Sequence, residues 1–281
     1  MFTVEKKLRA GIIGATGMVG QRFVMLLQNH PYFDLTVLAA SARSAGKRYE
    51  DAVGDHWKMK DPMPESVRDM VVADASDVAS VAEQVDFVFC AVNMDKAAII
   101  ELEEAYAKAE TPVFSNNSAN RWTPDVPMLM PEVNDSHLAV LETQKKRLGT
   151  KRGFIVVKPN CSIQSYTPLL TPLLDFGPRE VVVTTYQAIS GAGKTFADWP
   201  EMNDNVIPYI GGEDEKSERE PLKIFGRGYS WGGFESLLIP GYGKRTERNS
   251  PFNRMVRVAV GLEDPKDLIA DLQQAFEKLA N

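Results

Sequence analysis

The sequence predicts an α/β protein: a parallel sheet covered by helices on both faces, followed by a smaller, partial α+β domain. Three observations carry this. Short strands that are apolar throughout alternate with helical segments over the first part of the chain. A glycine-rich turn, Gly14-Ala-Thr-Gly-Met-Val-Gly20, joins the first strand to the first helix. Beyond about residue 125 the alternation gives way to proline- and glycine-interrupted segments. Strands buried on both faces need no polar alternation, which is the mark of a parallel sheet between helix layers.

Taken in order, Leu8 to Ile13 reads as a short buried strand. Met18 to Leu27 has helical spacing, with Val19, Phe23, Leu26 and Leu27 on one side. Leu35 to Ala40 is the second strand, Met70 to Ala73 a weaker third and Asp86 to Val92 a strong fourth. Lys96 to Lys108 is helical, and Pro112 to Ser115 and Phe154 to Val157 are further strands. Ser162 to Leu174 is an apolar helix made imperfect by Pro168 and Pro172. Glu180 to Gln187 is β-rich, and Trp199 to Gly212 is loop with short helical turns. Asp264-Pro265, followed by Leu268, Ile269, Leu272, Phe276 and Leu279, predicts a capped amphipathic helix at the end.

At 281 residues the chain has room for two domains. Its 44% apolar and 25% charged residues are those of a globular protein rather than a disordered one. A net charge of −6 points away from nucleic acid, and a small anionic substrate needs local basic residues. The only cysteines are Cys90 and Cys161, which argues for a reducing, cytoplasmic setting rather than a disulfide framework. Histidine occurs only at positions 30, 56 and 137, none at ligand spacing, so no metal site is expected. No run approaches the roughly 18 apolar residues of a membrane span, and no signal-type stretch follows Met1.

In the turn, Gly14, Gly17 and Gly20 let the backbone fold tightly and approach a pyrophosphate. The N–H groups around Thr16, Gly17, Met18 and Val19 then face its charge at a helix start. This is a Rossmann-like cofactor site. Enzymes using NAD place an acid after the second strand to hold the ribose 2′-hydroxyl. Here that strand ends in Ser41-Ala42-Arg43-Ser44, a cation and two hydroxyls, which suits the 2′-phosphate of NADP. Cys161 lies in Lys-Pro-Asn-Cys-Ser at 158–162, ahead of the imperfect helix. A thiol at the positive end of a helix dipole is a better nucleophile. Asn160 beside it is placed to donate to a developing oxyanion. Cys90, inside an apolar strand, reads as structural. Ala188-Ile-Ser-Gly-Ala-Gly-Lys-Thr195 loosely fits a phosphate loop, but Ala188 and the nearby Pro200 argue against it.

Five motifs then converge: Gly14–Gly20, Ser-Asn-Asn-Ser-Ala-Asn-Arg at 115–121, Lys-Pro-Asn-Cys-Ser at 158–162, Gln-Ala-Ile-Ser-Gly-Ala-Gly-Lys at 187–194 and Gly-Gly-Glu-Asp-Glu-Lys at 211–216. On them, the chain from about Leu8 to Phe225 resembles the aspartate-semialdehyde dehydrogenases of the archaeal and fungal type. The resemblance implies NADPH-dependent reduction of an aspartyl acyl phosphate to the semialdehyde with release of phosphate. It also implies a homo-oligomer and a place in lysine, threonine and methionine biosynthesis. Carried across by motif, Cys161 is the thioester nucleophile and Gln187 orients the substrate. Ser190 and Gly191 lie on the nicotinamide side. Asn117, Arg121 and Lys216 face phosphate or substrate charge, and Glu213 holds the substrate amine.

The family continues with an Arg-x-Pro-Val segment and a Gly-His pair whose histidine is the acid/base. Neither is found here, and no histidine follows His137. Instead, Gly228 to Pro240 and Val256 to Asp271 are similar to the C-terminus of cystathionine β-lyase-like enzymes that use pyridoxal phosphate. That similarity implies a carboxylate-binding role for Ser230, Trp231 and Arg257, without the lyase's cofactor domain. The expected domains are therefore a nucleotide domain at 1–155, a partial catalytic and dimerisation domain at 156–225, and a foreign-looking segment at 226–281. The expected consequence is NADP binding with little turnover.

Overall fold

The computed structural model describes residues 6–176, 181–225, 237–241, 255–259, and Lys266, Ile269 and Gln273. In chain order its elements are β1 (Leu8–Ile13), α1 (Met18–Leu27), β2 (Phe33–Ala40), α2 (Tyr49–Val53), α3 (Glu65–Arg68), β3 (Ala73–Asp74), α4 (Val78–Gln84), β4 (Phe87–Cys90), α5 (Lys96–Lys108), β5 (Val113–Ser115), α6 (Pro131–Asn134), α7 (Leu141–Leu148), β6 (Ile155–Val157), α8 (Cys161–Leu170), α9 (Glu213–Ile224), β7 (Leu237–Gly241) and β8 (Met255–Ala259). The first six strands form one sheet in the order β3-β2-β1-β4-β5-β6. Every pairing in it is parallel. This is the doubly wound α/β arrangement, whose strand order reverses at β1 and β4 and opens a crevice beyond their C-terminal ends.

Alternate residues feed two cores. Ala10 and Ile12 of β1, with Leu38 and Ala40 of β2, pack toward Val24, Leu27 and Tyr49. Ile13, Val37, Ala39, Val88, Val113 and Val157 pack on the other face with Tyr106, Ile163 and Ile224. Fully burying a side chain of this size contributes about 1.5–3 kcal/mol. Phe23 stacks on Phe89 at 4.6 Å between ring centroids, fixing α1 against β4. Helix α5 starts on Asp95, whose carboxylate accepts from the Ala98 N–H, so the expected bounds of this helix hold.

Four expectations change. Helix α1 has the expected bounds, but its inward face is Gly20, Gln21, Val24 and Leu27, while Val19 and Leu26 are exposed. The reason is close packing at Gly20, where a Cβ would fall 2.2 Å from the Gly14 carbonyl oxygen. The third strand is only Ala73–Asp74, because Val71 instead bridges Arg48 in antiparallel fashion. Residues 181–188 form no strand: no ladder partner accompanies them among the described residues, and Val182 and Tyr186 stand about nine-tenths exposed. The apolar helix after Cys161 stops at Leu170 and tightens into a 3-10 turn over Thr171–Phe176, where Pro172 removes a donor.

Of the terminal segment, β7 and β8 form an antiparallel pair that sets Ile239 opposite Arg257. Ser230 and Trp231 lie outside the described residues. Lys266, Ile269 and Gln273 are helical and exposed, and Leu268, Leu272, Phe276 and Leu279 of the expected apolar face lie outside the described residues.

Candidate active site

All loops that follow strands of a parallel sheet emerge at one edge. That edge carries the glycine turn after β1, Ser41–Ser44 after β2, Asn116–Arg121 after β5 and Lys158–Asn160 after β6. Residues far apart in sequence therefore converge without any unusual local structure.

The glycine turn assigns each glycine a different task. Gly14 has φ +92°, and a Cβ there would lie 2.5 Å from the Ala91 carbonyl oxygen, so only glycine fits between β1 and β4. Its N–H and that of Ala15 donate to the Ala39 carbonyl at 2.8 and 3.0 Å. Tyr49, fully buried, donates its hydroxyl to the Ala15 carbonyl at 2.8 Å and braces the turn from beneath. Gly17 caps α1 with no side-chain bond, and its missing Cβ would meet nothing nearer than 3.5 Å. The helix start at Met18 and Val19 thus faces open space with no side-chain acceptor, which fits a pyrophosphate. Ser41, Ala42 and Arg43 are exposed in a turn closed by the Ser44 N–H donating to the Ser41 carbonyl at 2.8 Å.

Cys161 is exposed and is the first residue of α8. The cap is Asn160, whose Oδ1 accepts from the Ser162 N–H at 2.9 Å and the Ser162 hydroxyl at 2.8 Å. The thiol lies 3.5 Å from that same Oδ1 and 3.9 Å from Oε1 of Gln187. Gln187 in turn donates its Nε2 to Glu213 at 2.8 Å. Glu213 also accepts from Asn160 Nδ2 at 3.0 Å, Ser162 Oγ at 3.2 Å and Lys216 Nζ at 2.5 Å. Burial alone would raise this carboxyl, but Lys216, Gln187 and Asn160 outweigh it and hold it below the usual range. Cys161, Gln187, Asn160, Glu213 and Lys216 are therefore one connected cluster.

Asn160, the expected oxyanion donor, gives one Nδ2 hydrogen to Glu213 at 3.0 Å. Arg121, expected to face phosphate, is 6% exposed, with Nη1 on Glu220 at 3.0 Å and Nε on the Lys158 carbonyl at 3.1 Å. Asn117 turns its amide nitrogen toward Glu103 at 3.2 Å and Cys90 Sγ at 3.5 Å. Glu103 is fully buried and draws in the nearest donors, Ser115 Oγ at 2.5 Å and Asn120 Nδ2 at 2.8 Å among them. Ser190 and Gly191 sit in a 3-10 turn, Ile189–Ala192, that buries none of its residues.

Sequence reading missed Glu220. Its carboxylate joins Arg121 to the Asn160 N–H at 2.6 Å, holding α9 on the cysteine loop. The signal was present: Glu213, Glu220 and Ile224 recur at helical spacing, and the last two are buried. Lys158, half-buried beside the thiol loop, is held below its usual range by burial and by Arg121. Burial pushes the Cys90 thiol well up, as does the Glu103 carboxylate. Among the described residues no cluster of three or more His, Cys, Asp or Glu could hold a metal ion. Nor is any helix there long and apolar enough to cross a membrane.

Residues 9–141 match the semialdehyde dehydrogenase NAD binding domain, and residues 170–228 match the semialdehyde dehydrogenase dimerisation domain. The aspartate-semialdehyde dehydrogenase of Aspergillus fumigatus is 44% identical over 222 residues, covering 78% of this chain and 60% of that protein. That of Methanothermobacter thermautotrophicus is 46% identical over 222 residues, covering 78% and 61%. The crystal structure of the Candida albicans enzyme with NADP superposes with a TM-score of 0.66 at 39% identity, over 78% of this chain and 60% of that one. This chain spans about three-fifths of the length of these relatives. Through its two matched domains, the chain belongs to the semialdehyde dehydrogenase family.

Proposed function

We propose that the chain carries the NADP site and the thioester centre of an aspartate-semialdehyde dehydrogenase of amino-acid biosynthesis. The observation that carries this reading is the placement of Cys161. An exposed thiol at a helix start touches Gln187 within a Glu213–Lys216 cluster, at the same sheet edge as the glycine turn. In the reductive direction the Cys161 thiolate attacks the acyl phosphate carbon, the C–O bond to phosphate breaks, and a thioester forms. The positive end of α8 stabilises the thiolate and the developing oxyanion. Gly14, Gly17 and the start of α1 would hold NADPH, with Arg43 at its 2′-phosphate, and the bound cofactor would supply the hydride that reduces the thioester to the aldehyde level. Cys161 then departs as thiolate.

Glu213 suits the substrate ammonium, since a carboxylate already held in its charged form needs only to exchange one donor. Lys216 is the donor to exchange: part-exposed and, among the described residues, bound to Glu213, it swings to the substrate's phosphate or carboxylate when an ammonium takes its place. Arg121 and Asn117, turned toward Glu220 and Glu103, serve the site by fixing the loops that present Cys161 and the cofactor. Gln187 keeps the substrate carbonyl near the thiol, and the family resemblance assigns Ser190 and Gly191 to the nicotinamide end of the cofactor.

A second reading, NADP binding without turnover, is favoured by the histidines. None of the three hydrogen-bonds to Cys161, Gln187 or Glu213, and His137 is buried against Asn134 at 3.0 Å. The resemblance of residues 228–240 and 256–271 to pyridoxal phosphate enzymes adds a carboxylate-binding role for Arg257. It lies beyond the reach of both family matches, the second of which ends at residue 228. The dimerisation domain and the exposed Val182, Tyr186, Val206 and Tyr209 support a homo-oligomer. A free nucleophilic thiol belongs in a reducing compartment, so the cytoplasm is the setting this reading requires. The test is NADPH formation from the semialdehyde, NADP and phosphate. Phosphate-dependent formation supports the dehydrogenase. Tight NADP binding with no NADPH formed supports the second reading.

A further inference from the structure

Between the glycine turn and the segment carrying Ser190 and Gly191 runs a continuous hydrogen-bonded path that the reaction chemistry does not use. It starts at Gln21, a polar side chain with no exposure in the middle of α1. Its Nε2 donates to the Thr16 carbonyl in the glycine turn and to the His56 carbonyl, both at 2.9 Å. Its Oε1 accepts from the Lys58 N–H at 2.7 Å. All three bonds fix where the Lys58 backbone sits relative to the turn. A buried amide is kept only when it is satisfied in this way.

From there the Lys58 side chain crosses to the second domain. Its Nζ donates to both oxygens of Asp198, at 3.2 and 3.0 Å. Asp198 also accepts from the Thr195 N–H at 3.1 Å and the Thr195 hydroxyl at 2.7 Å, closing a turn immediately after the Ile189–Ala192 helix. Thr195 and Lys58 together hold the Asp198 carboxyl down to about 2, so the bridge stays charged throughout the neutral range. Apart from this contact, residues 189–199 are largely exposed.

We infer that Gln21, Lys58 and Asp198 are positioning residues: they latch the 189–198 segment to the glycine turn and so set Ser190 and Gly191 over the nicotinamide end of the cofactor. The inference rests on the NADP reading above. Lys58 and Asp198 need not touch the cofactor. They act by lowering the freedom of a segment with little burial of its own, so that less order has to be imposed when the nicotinamide binds.

The experiment uses the full chain and Lys58→Met, which keeps the Thr195–Asp198 turn and the Gln21 bond to the Lys58 backbone. Two ligands are titrated by calorimetry: NADPH, and adenosine 2′,5′-bisphosphate, which has the adenine and 2′-phosphate but no nicotinamide. In parallel, amide exchange over residues 189–199 is followed without ligand. The expected result is faster exchange in Lys58→Met, NADPH binding weakened about fivefold, the upper range for a part-exposed ion pair, and the bisphosphate unchanged within about twofold. The conservative Lys58→Arg, which keeps a cation for Asp198 and leaves the Thr195–Asp198 turn in place, should retain most of the NADPH affinity. Unchanged exchange would show that the bridge holds nothing. Equal weakening of both ligands would place the effect at the adenine end and overturn the inference. If the parent binds neither ligand, the cofactor reading fails and takes the positioning role with it. Faster exchange in Lys58→Met would then show that the bridge itself is real.

Discussion

A thiol reacts as its thiolate, and it must be reachable to react at all. Cys161 is exposed at the start of α8, while Cys90 is buried and its thiol is pushed up by burial and by Glu103. Brief alkylation near neutral pH followed by mass mapping should label Cys161 at least about tenfold faster than Cys90. Preferential labelling of Cys90 would remove the nucleophile from the account. Arg43 offers a second test at this scale. Arg43→Glu puts a carboxylate where the 2′-phosphate is expected, and should abolish or reverse a preference for NADP over NAD. Equal affinity of the parent for the two cofactors would show that the Ser41–Ser44 turn does not read the phosphate. The positions of both residues were legible in the sequence, because each follows a strand of the parallel sheet. Asn117, Asn160 and Arg121 were less so. Their type was readable, but the carboxylates they bond, Glu103, Glu213 and Glu220, come from helices elsewhere in the chain.

Among the elements, the glycine turn and α1 make a sharp contrast between two similar substitutions. A Cβ at Gly20 would fall 2.2 Å from a backbone oxygen, whereas at Gly17 it would meet nothing within 3.4 Å. Gly20→Ala should therefore unfold at markedly lower denaturant. Gly17→Ala should keep parent stability and lose NADPH affinity, because its methyl group intrudes only on the pyrophosphate. Urea melts paired with NADPH titration separate the two, and equal loss of stability would contradict the assignment. Helix α9 gives a second prediction. Glu220 and Arg121 are almost fully buried together, so Glu220→Gln leaves a buried guanidinium without its counter-charge, at about 3–5 kcal/mol. Glu213 adds a pH dependence. Its folded carboxyl lies below its unfolded value, so its contribution to stability is complete above the usual carboxylate range. That contribution is lost as pH falls through the folded value. The bounds of β1, α1 and α5 were readable from apolar runs and spacing, whereas the short helices α2, α3 and α4 carry too few turns to show a period and were not singled out. The inward face of α1 was not readable, because Gly20 and Gln21 are core residues that no hydrophobic pattern marks. The β-rich run at 181–187 was misread, since β propensity reports a side-chain preference and a strand also needs a neighbour.

For the molecule as a whole, the parallel sheet and the cofactor crevice followed from the alternation of apolar runs and helices together with one glycine turn. The convergence of Cys161, Gln187 and Glu213 did not, because it depends on loops and on α9 returning to the cysteine loop. Among the described residues no imidazole bonds to Cys161, Gln187 or Glu213. General acid/base catalysis contributes about 10²–10⁴-fold, so the 281-residue chain should turn over at least about a hundredfold more slowly than a full-length relative. A steady-state rate within tenfold would show that another group, Lys158 among the candidates, moves the proton. Slow turnover leaves the central claim open to a direct test, because a thioester that is slow to leave accumulates. The chain is incubated with aspartate semialdehyde and NADP, without phosphate, and the NADPH formed and the mass of the Cys161 peptide are followed together. The account predicts up to one equivalent of NADPH, a matching acyl adduct on Cys161, its discharge on adding phosphate, and no adduct in Cys161→Ser. NADPH formed without an adduct on Cys161, or an adduct that persists in Cys161→Ser, would contradict it.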